Sequence, residues 1–166
     1  MYNLHVSEDV FMPRRKKDGM GDWIVMLDVS GSMSDKEVGG CFGELNRLSR
    51  DGEIALRRTV VIQYTAHVVS VEYFQPGEEI VFTRNGSGGT DVSAAFREAK
   101  QLQYSGEIEP VCWLVMSDMY DCWPPPPEED VLWISTTPLE HIASSLPPYG
   151  VVTQLQIPEF YEEEPQ

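Results

Sequence analysis

Long apolar runs are missing from this 166-residue chain. No stretch approaches the roughly 18 to 20 apolar residues that a membrane-crossing helix needs, so a helical span is excluded. Arg14–Lys17 have the charge of a leader's first segment, but Asp18, Gly19, Gly21 and Asp22 stand where its apolar part would follow. No secretory leader is therefore expected. Cysteine is scarce: Cys41, Cys112 and Cys122 are odd in number and share no C-x-x-C spacing. That argues against a disulfide framework or a zinc ribbon and points to a reducing, cytoplasmic setting. The histidines His5, His67 and His141 are far apart and fit no H-x-x-x-H pattern, so a histidine zinc site has no support. Basic residues are few, 12 against 27 acidic ones, for a net charge of −15. Setting aside Arg14–Lys17 leaves 8 against 27, or −19, on the rest of the chain. Such a surface repels phosphate backbones and disfavours nucleic acid as the main partner.

What is present suffices for a packed domain, since 42% of the residues are hydrophobic. Residues 1–21 show no clear period and read as an N-terminal arm. Residues 22–157 read as the domain and 158–166 as an acidic tail. Trp23–Leu27 is a continuous apolar run of the kind a central parallel strand shows when both faces are covered. Ser34, with Glu37 three residues on, reads as a capping box opening a helix to about Arg50. Gly39, Gly40 and Gly43 lie inside that helix, each unfavourable by about 1 kcal/mol relative to alanine. Close packing against a sheet is the preferred reason for them, and a mobile helix beside the loop that precedes it is the alternative.

Thr59–Tyr64 and Val68–Phe74 read as a hairpin across Thr65–His67. Asn85–Gly89 is read as a flexible glycine-rich loop. Thr90 is expected to start a helix to about Gln103, with Ala94, Ala95, Phe96 and Ala99 inward. Val111–Met116 and Val131–Ile134 are further buried strands. Pro138–Leu146 is expected to be a short helix and Val151–Ile157 a last strand. Strands alternating with helices predict an α/β, Rossmann-like, doubly wound domain. Its mostly parallel sheet has the order 3-2-1-4-5-6, with one antiparallel edge strand and helices on both faces.

In this topology Asp28 and Asp118 end neighbouring strands and face one crevice, where ligands of such sheets bind. Two ionised carboxylates there disfavour each other, and a divalent cation resolves the conflict. Asp28, Ser30 and Ser32 alternate along an extended loop, with Gly31 read as allowing a tight turn. Thr90 adds another hydroxyl. These are hard oxygen donors, suited to Mg²⁺, Mn²⁺ or Ca²⁺ and not to zinc or copper. Tyr120, Asp121, Trp123 and Pro124–Pro127 follow Asp118 and are expected to rim the site, with core packing an equal option for Trp123.

The series Asp28-Val29-Ser30-Gly31-Ser32, Gly89-Thr90 and Ser117-Asp118 resembles the metal-ion-dependent adhesion site of von Willebrand factor A (VWA) domains. Gly88–Asp91, the proline-rich segment, Val131–Ile134 and Pro147-Pro148-Tyr149-Gly150 are similar to the VWA-like domain at the C-terminus of predicted bacterial metallopeptidases. No H-E-x-x-H motif accompanies them, so protease activity is not carried over. The resemblance implies a metal site on Asp28, Ser30, Ser32, Thr90 and Asp118. It further implies a non-catalytic module whose metal shell is completed by a Glu or Asp of a protein partner. An adaptor role beside a MoxR-type AAA+ ATPase also follows from it. The competing expectations are a metal-dependent hydrolase and a structural subunit docking through its acidic tail. Oligomeric state is left open.

Overall fold

The computed structural model describes residues 21–50, 58–81, 83–86 and 88–156. The expected arm, apart from Gly21, and the expected tail lie outside these residues, as do Arg14–Lys17 and His5.

Six strands form one sheet: β1 (Asp22–Asp28), β2 (Thr59–Tyr64), β3 (Val68–Phe74), β4 (Pro110–Ser117), β5 (Val131–Ser135) and β6 (Val151–Gln154). Their order is β3-β2-β1-β4-β5-β6. All neighbours are parallel except β2 and β3, so the antiparallel strand is the edge strand β3. This is the topology the sequence pattern predicts. The continuous apolar runs of β1, β2 and β4 are explained by cover on both faces.

Alternation along the strands sorts the core into two layers. Ile24, Met26, Val60, Ile62, Trp113, Val115 and Trp133 point to one side and pack under helix α2 (Val92–Tyr104), through Val92, Ala95, Phe96 and Ala99. Phe96 sits between two indoles, edge-on to Trp113 at 5.0 Å and stacked with Trp133 at 5.8 Å. Truncating it to alanine would cost about 3–5 kcal/mol. Val25, Leu27, Val61, Leu114 and Met116 point the other way, under helix α1 (Asp35–Arg50), through Val38, Cys41, Phe42 and Leu45.

The helix starts follow local chemistry. The capping box is formed: the Ser34 N–H donates to Glu37 Oε2 (2.7 Å), and the Glu37 N–H donates to Ser34 Oγ (3.2 Å). The second helix does not start at Thr90. Asp91 is its N-cap, extended at φ −151°, with its side chain accepting from the Ser93 N–H. A carboxylate caps better than a threonine hydroxyl and favours the positive end of the helix, which leaves Thr90 outside the helix.

Three expectations need correction. A Cβ built on Gly39 or Gly43 meets nothing within 4 Å. Those two glycines of α1 are exposed and are not there for close packing. The segment Pro138–Leu146 is not one helix but two 3-10 turns, Leu139–His141 and Ala143–Ser145, interrupted by Ile142 at φ −123°, ψ 15°. Buried Ile142 is part of the α2-side core, and that anchorage outweighs a helix only two turns long, which is marginal by itself. The last strand ends at Gln154, and Leu155 beyond it still donates its N–H to the Ser135 carbonyl (2.8 Å).

Candidate metal centre

Strand register sets the floor of the site. Asp28 ends β1 opposite Tyr64 of β2. On the other side, Leu27 pairs with Met116, which brings Ser117 beside Asp28. The Asp28 carboxylate is fully buried. Its Oδ1 accepts from the Ser30 N–H (2.8 Å), and its Oδ2 accepts from the Ser117 hydroxyl (2.9 Å). These bonds hold the carboxylate at the end of the strand and turn the chain into the Ser30–Ser32 loop.

The remaining expected ligands join through a chain of contacts. Ser30 Oγ and Ser32 Oγ lie 3.2 Å apart. The Ser32 hydroxyl hydrogen-bonds Asp118, whose Oδ1 also accepts from the Tyr120 N–H at 3.2 Å. Thr90 Oγ1 lies 3.4 Å from Asp28 Oδ2. The five oxygen-bearing side chains named from the sequence are thus neighbours in space. Ser30 and Asp118 are buried, Thr90 is half-buried and Ser32 is exposed, so the crevice opens to solvent on the Ser32 side.

Burial raises the Asp118 carboxyl above its ordinary range. The Ser32 and Tyr120 hydrogen bonds oppose that rise, and the charges of Asp28 and Glu37 add to it. Among the described residues neither Asp28 nor Asp118 forms an ion pair. The buried Tyr64 hydroxyl has no well-formed hydrogen bond. Burial pushes its ionisation up, and the negative potentials of Asp28, Asp121 and Asp118 reinforce this while the Ser117 hydroxyl opposes it. A net negative, oxygen-lined crevice without a counter-cation is chemically suited to a hard divalent ion. Among the described residues no group of three or more His, Cys, Asp or Glu side chains stands together as a metal cluster. The present centre differs in kind, because three of its five donors are hydroxyls.

Several supporting residues were not singled out from sequence. Arg84 donates from Nη2 to the carbonyls of Ser30 (2.8 Å) and Val29 (3.2 Å), and from Nη1 to Asp35 (2.7 Å). It therefore grips the backbone of the Asp28–Ser32 loop without neutralising either carboxylate. The Gly31 N–H donates to the Gly88 carbonyl (2.9 Å), tying the same loop to the glycine-rich segment. Gly31 is not left-handed, and a Cβ there would meet the Gly88 oxygen at an ordinary 3.6 Å. The tight turn expected there is formed, with the Met33 N–H donating to the Ser30 carbonyl (3.1 Å), but it does not use a left-handed glycine. Gly86 and Gly88 are left-handed, at φ 97° and 126°, and these two shape the approach to Thr90.

Ser117 is one residue from a motif aspartate, and parallel pairing of β1 with β4 would have pointed to it. Arg84 carries no such signal, since 54 residues separate it from Ser30. Asp121 was placed only on the rim. Its Oδ2 in fact accepts from Thr90 Oγ1 (3.2 Å) and from the Val92 N–H (2.7 Å). Met119 is left-handed at φ 67°, unusual for a side-chain-bearing residue, and lies between Asp118 and Asp121. Of the expected rim, Tyr120 is 58% exposed. Trp123 packs edge-on to Trp133 at 5.1 Å and donates to the Ser145 carbonyl, so packing accounts for it. His67 belongs to the β2–β3 turn, whose Thr65 carbonyl accepts from the Asp91 N–H. Among the described residues no hydrogen bond joins the His67 side chain to the five donors.

Comparison with known proteins adds three findings. The profile of the VWA-like domain (DUF2201) matches residues 23–156. No curated protein matches the chain. Among solved structures, the ArnB paralog VWA2 from Sulfolobus acidocaldarius is similar with a TM-score of 0.52 at 18% identity, covering 70% of this chain and 34% of that one. An aerotolerance-related membrane protein from Bacteroides fragilis, crystallised with multiple mutations to serine, is similar with a TM-score of 0.53 at 15% identity, covering 70% of this chain and 67% of that one. The chain thus spans about a third of the archaeal relative. At these identities the likeness is one of fold.

Proposed function

The chain belongs to the VWA-like domain family, and from that membership we propose that it is a divalent-cation-dependent protein-binding module. VWA-like domains are in general protein-interaction modules. The specific reading assigns the cation, Mg²⁺ or else Mn²⁺ or Ca²⁺, to Asp28, Ser30, Ser32, Thr90 and Asp118. The observation that carries it is the pairing of two buried carboxylates, Asp28 and Asp118, with three hydroxyls and no counter-cation among the described residues. A bound divalent cation would supply positive charge to these five side chains, and a Glu or Asp of a partner protein would complete its coordination.

The chain's own residues do the rest. Ser117 and the Ser30 N–H hold Asp28 in place. Arg84 fixes the loop backbone. Exposed Tyr120, two residues after Asp118, would serve as an aromatic contact for whatever docks. No step of this scheme needs a general base, and the module is read as non-catalytic. The three cysteines are free thiols, and a reducing, cytoplasmic setting belongs to this reading as a proposal. Among the described residues no helix is long and apolar enough to cross a membrane. Service as an adaptor for a MoxR-type AAA+ ATPase is the particular form of this role that the sequence resemblance suggests.

The test is capture from cell extract by immobilised protein under three conditions: with Mg²⁺, with EDTA, and with Asp28→Ala in Mg²⁺. Partners retained only by the wild type in Mg²⁺ are expected. Equal recovery under all three conditions would rule the proposal out.

A further inference from the structure

Thr90 is the one candidate ligand whose hydroxyl faces two carboxylates at once, Asp28 Oδ2 at 3.4 Å and Asp121 Oδ2 at 3.2 Å. A hydroxyl carries one proton and two lone pairs, so it donates to one of them at a time. A threonine that ligates a cation must turn a lone pair toward it and send its proton elsewhere. Both oxygens already accept one other hydrogen, from the Ser117 hydroxyl at Asp28 and from the Val92 N–H at Asp121. Asp121 is the nearer of the two and is not itself a candidate ligand, so its remaining lone pairs stay free for the Thr90 proton.

We infer that Asp121 is a positioning residue that draws the Thr90 proton away from the Asp28–Asp118 crevice and leaves the Thr90 lone pairs facing it. This rests on the metal-site reading above and deepens it. The geometry suits the task. Asp121 is fixed by backbone and not by other side chains: its Oδ2 accepts from the Val92 N–H (2.7 Å) and its Oδ1 from the Cys122 N–H (2.6 Å). Val92 opens α2, two residues after Thr90, so one carboxylate registers both the hydroxyl and the helix that follows it. Met119, left-handed at φ 67°, lies on the short segment that joins Asp118 to Asp121.

The experiment is Mn²⁺ titration, followed by electron paramagnetic resonance, of the full chain and of Asp121→Asn, Asp121→Glu, Thr90→Val and the double variant Asp121→Asn/Thr90→Val. Thermal midpoints in EDTA run alongside to report folding. Loss of an orienting partner weakens metal affinity by about 10–100-fold. Asp121→Asn is expected to lose affinity in that range. Asp121→Glu, which keeps the charge but moves the oxygens, should lose it too. In the Thr90→Val background Asp121→Asn should change affinity by less than about twofold, because its effect passes through the hydroxyl. Three results would overturn the inference. Asp121→Asn could match the wild type, Asp121→Glu could match it while Asn does not, or the full loss could persist without the Thr90 hydroxyl. If the wild type itself binds no Mn²⁺, the metal-site reading falls and this inference with it; in the other cases only the role of Asp121 falls.

Discussion

Replacing Gly39 and Gly43 of α1 with alanine should stabilise the protein and leave the candidate centre unchanged. Both positions lie in the interior of the 16-residue helix Asp35–Arg50, and both are exposed. An added Cβ at either meets nothing within 4 Å, so no repacking opposes it. Neither residue is left-handed, so alanine suits the backbone. Only helix propensity changes, by about 0.8–1 kcal/mol per site, which gives about 2 kcal/mol for the pair, since two methyl groups one turn apart add little to each other. For a chain of this size that is a rise of roughly 4–8 °C in Tm. The assay is thermal unfolding followed by circular dichroism in EDTA, where no ligand linkage contributes. Divalent-ion affinity, measured separately, should match the wild type. An unchanged or lowered Tm would show that these glycines meet a packing demand after all. A raised Tm with altered affinity would instead favour the idea of a helix kept loose beside the Ser30–Ser32 loop.

Other outcomes follow from the same geometry. In EDTA, Asp118→Asn should gain stability over the wild type at neutral pH, and the gain should shrink on acidification. The folded pKa of Asp118 is raised, chiefly by burial, so its penalty is present above that pKa and vanishes toward the ordinary range near about 4. A gap between the two melting curves that stays constant or widens as pH falls would refute this. Iodoacetamide at pH 8 should label only Cys122 in the native protein, as read by peptide mass spectrometry. Cys122 is exposed, whereas burial pushes the Cys41 and Cys112 thiols up to about 12. Native labelling of either would contradict their placement. Arg84→Met should cost about 1–3 kcal/mol through two lost charge-assisted bonds to the Val29 and Ser30 carbonyls, and should weaken divalent-ion binding. Intact affinity would mean that the loop holds its shape without the guanidinium.

Much of the architecture was legible in the sequence because a sheet covered on both faces writes itself as continuous apolar runs. Those of β1 and β4 placed the two strands that end at Asp28 and near Asp118, while the strand order came from the doubly wound topology that alternating strands and helices imply. The Ser34–Glu37 capping box was legible for a similar reason, since it is formed within four residues. Where burial competed with propensity, the sequence misled. Segment 138–146 reads as a helix but is broken by the buried anchor Ile142. Gly39 and Gly43 read as packing devices but face open space.

At the candidate centre the division is sharper. The five oxygen-bearing residues could be named from the sequence, because each lies at a strand end or a loop beside one and carries a hard donor. The contacts of their supports could not be read there, even where the residue itself, Ser117 or Asp121, had been noticed. Arg84 reaches its carbonyls across 54 residues, Ser117 reaches Asp28 across 89, and Asp121 reaches Thr90 across 31. Hydrogen bonds of that span have no period and no spacing rule; they exist only once register and loop path have placed donor against acceptor. The sequence alone determined which oxygen donors lie beside the two strand ends, and the tertiary structure decided which way those atoms are turned.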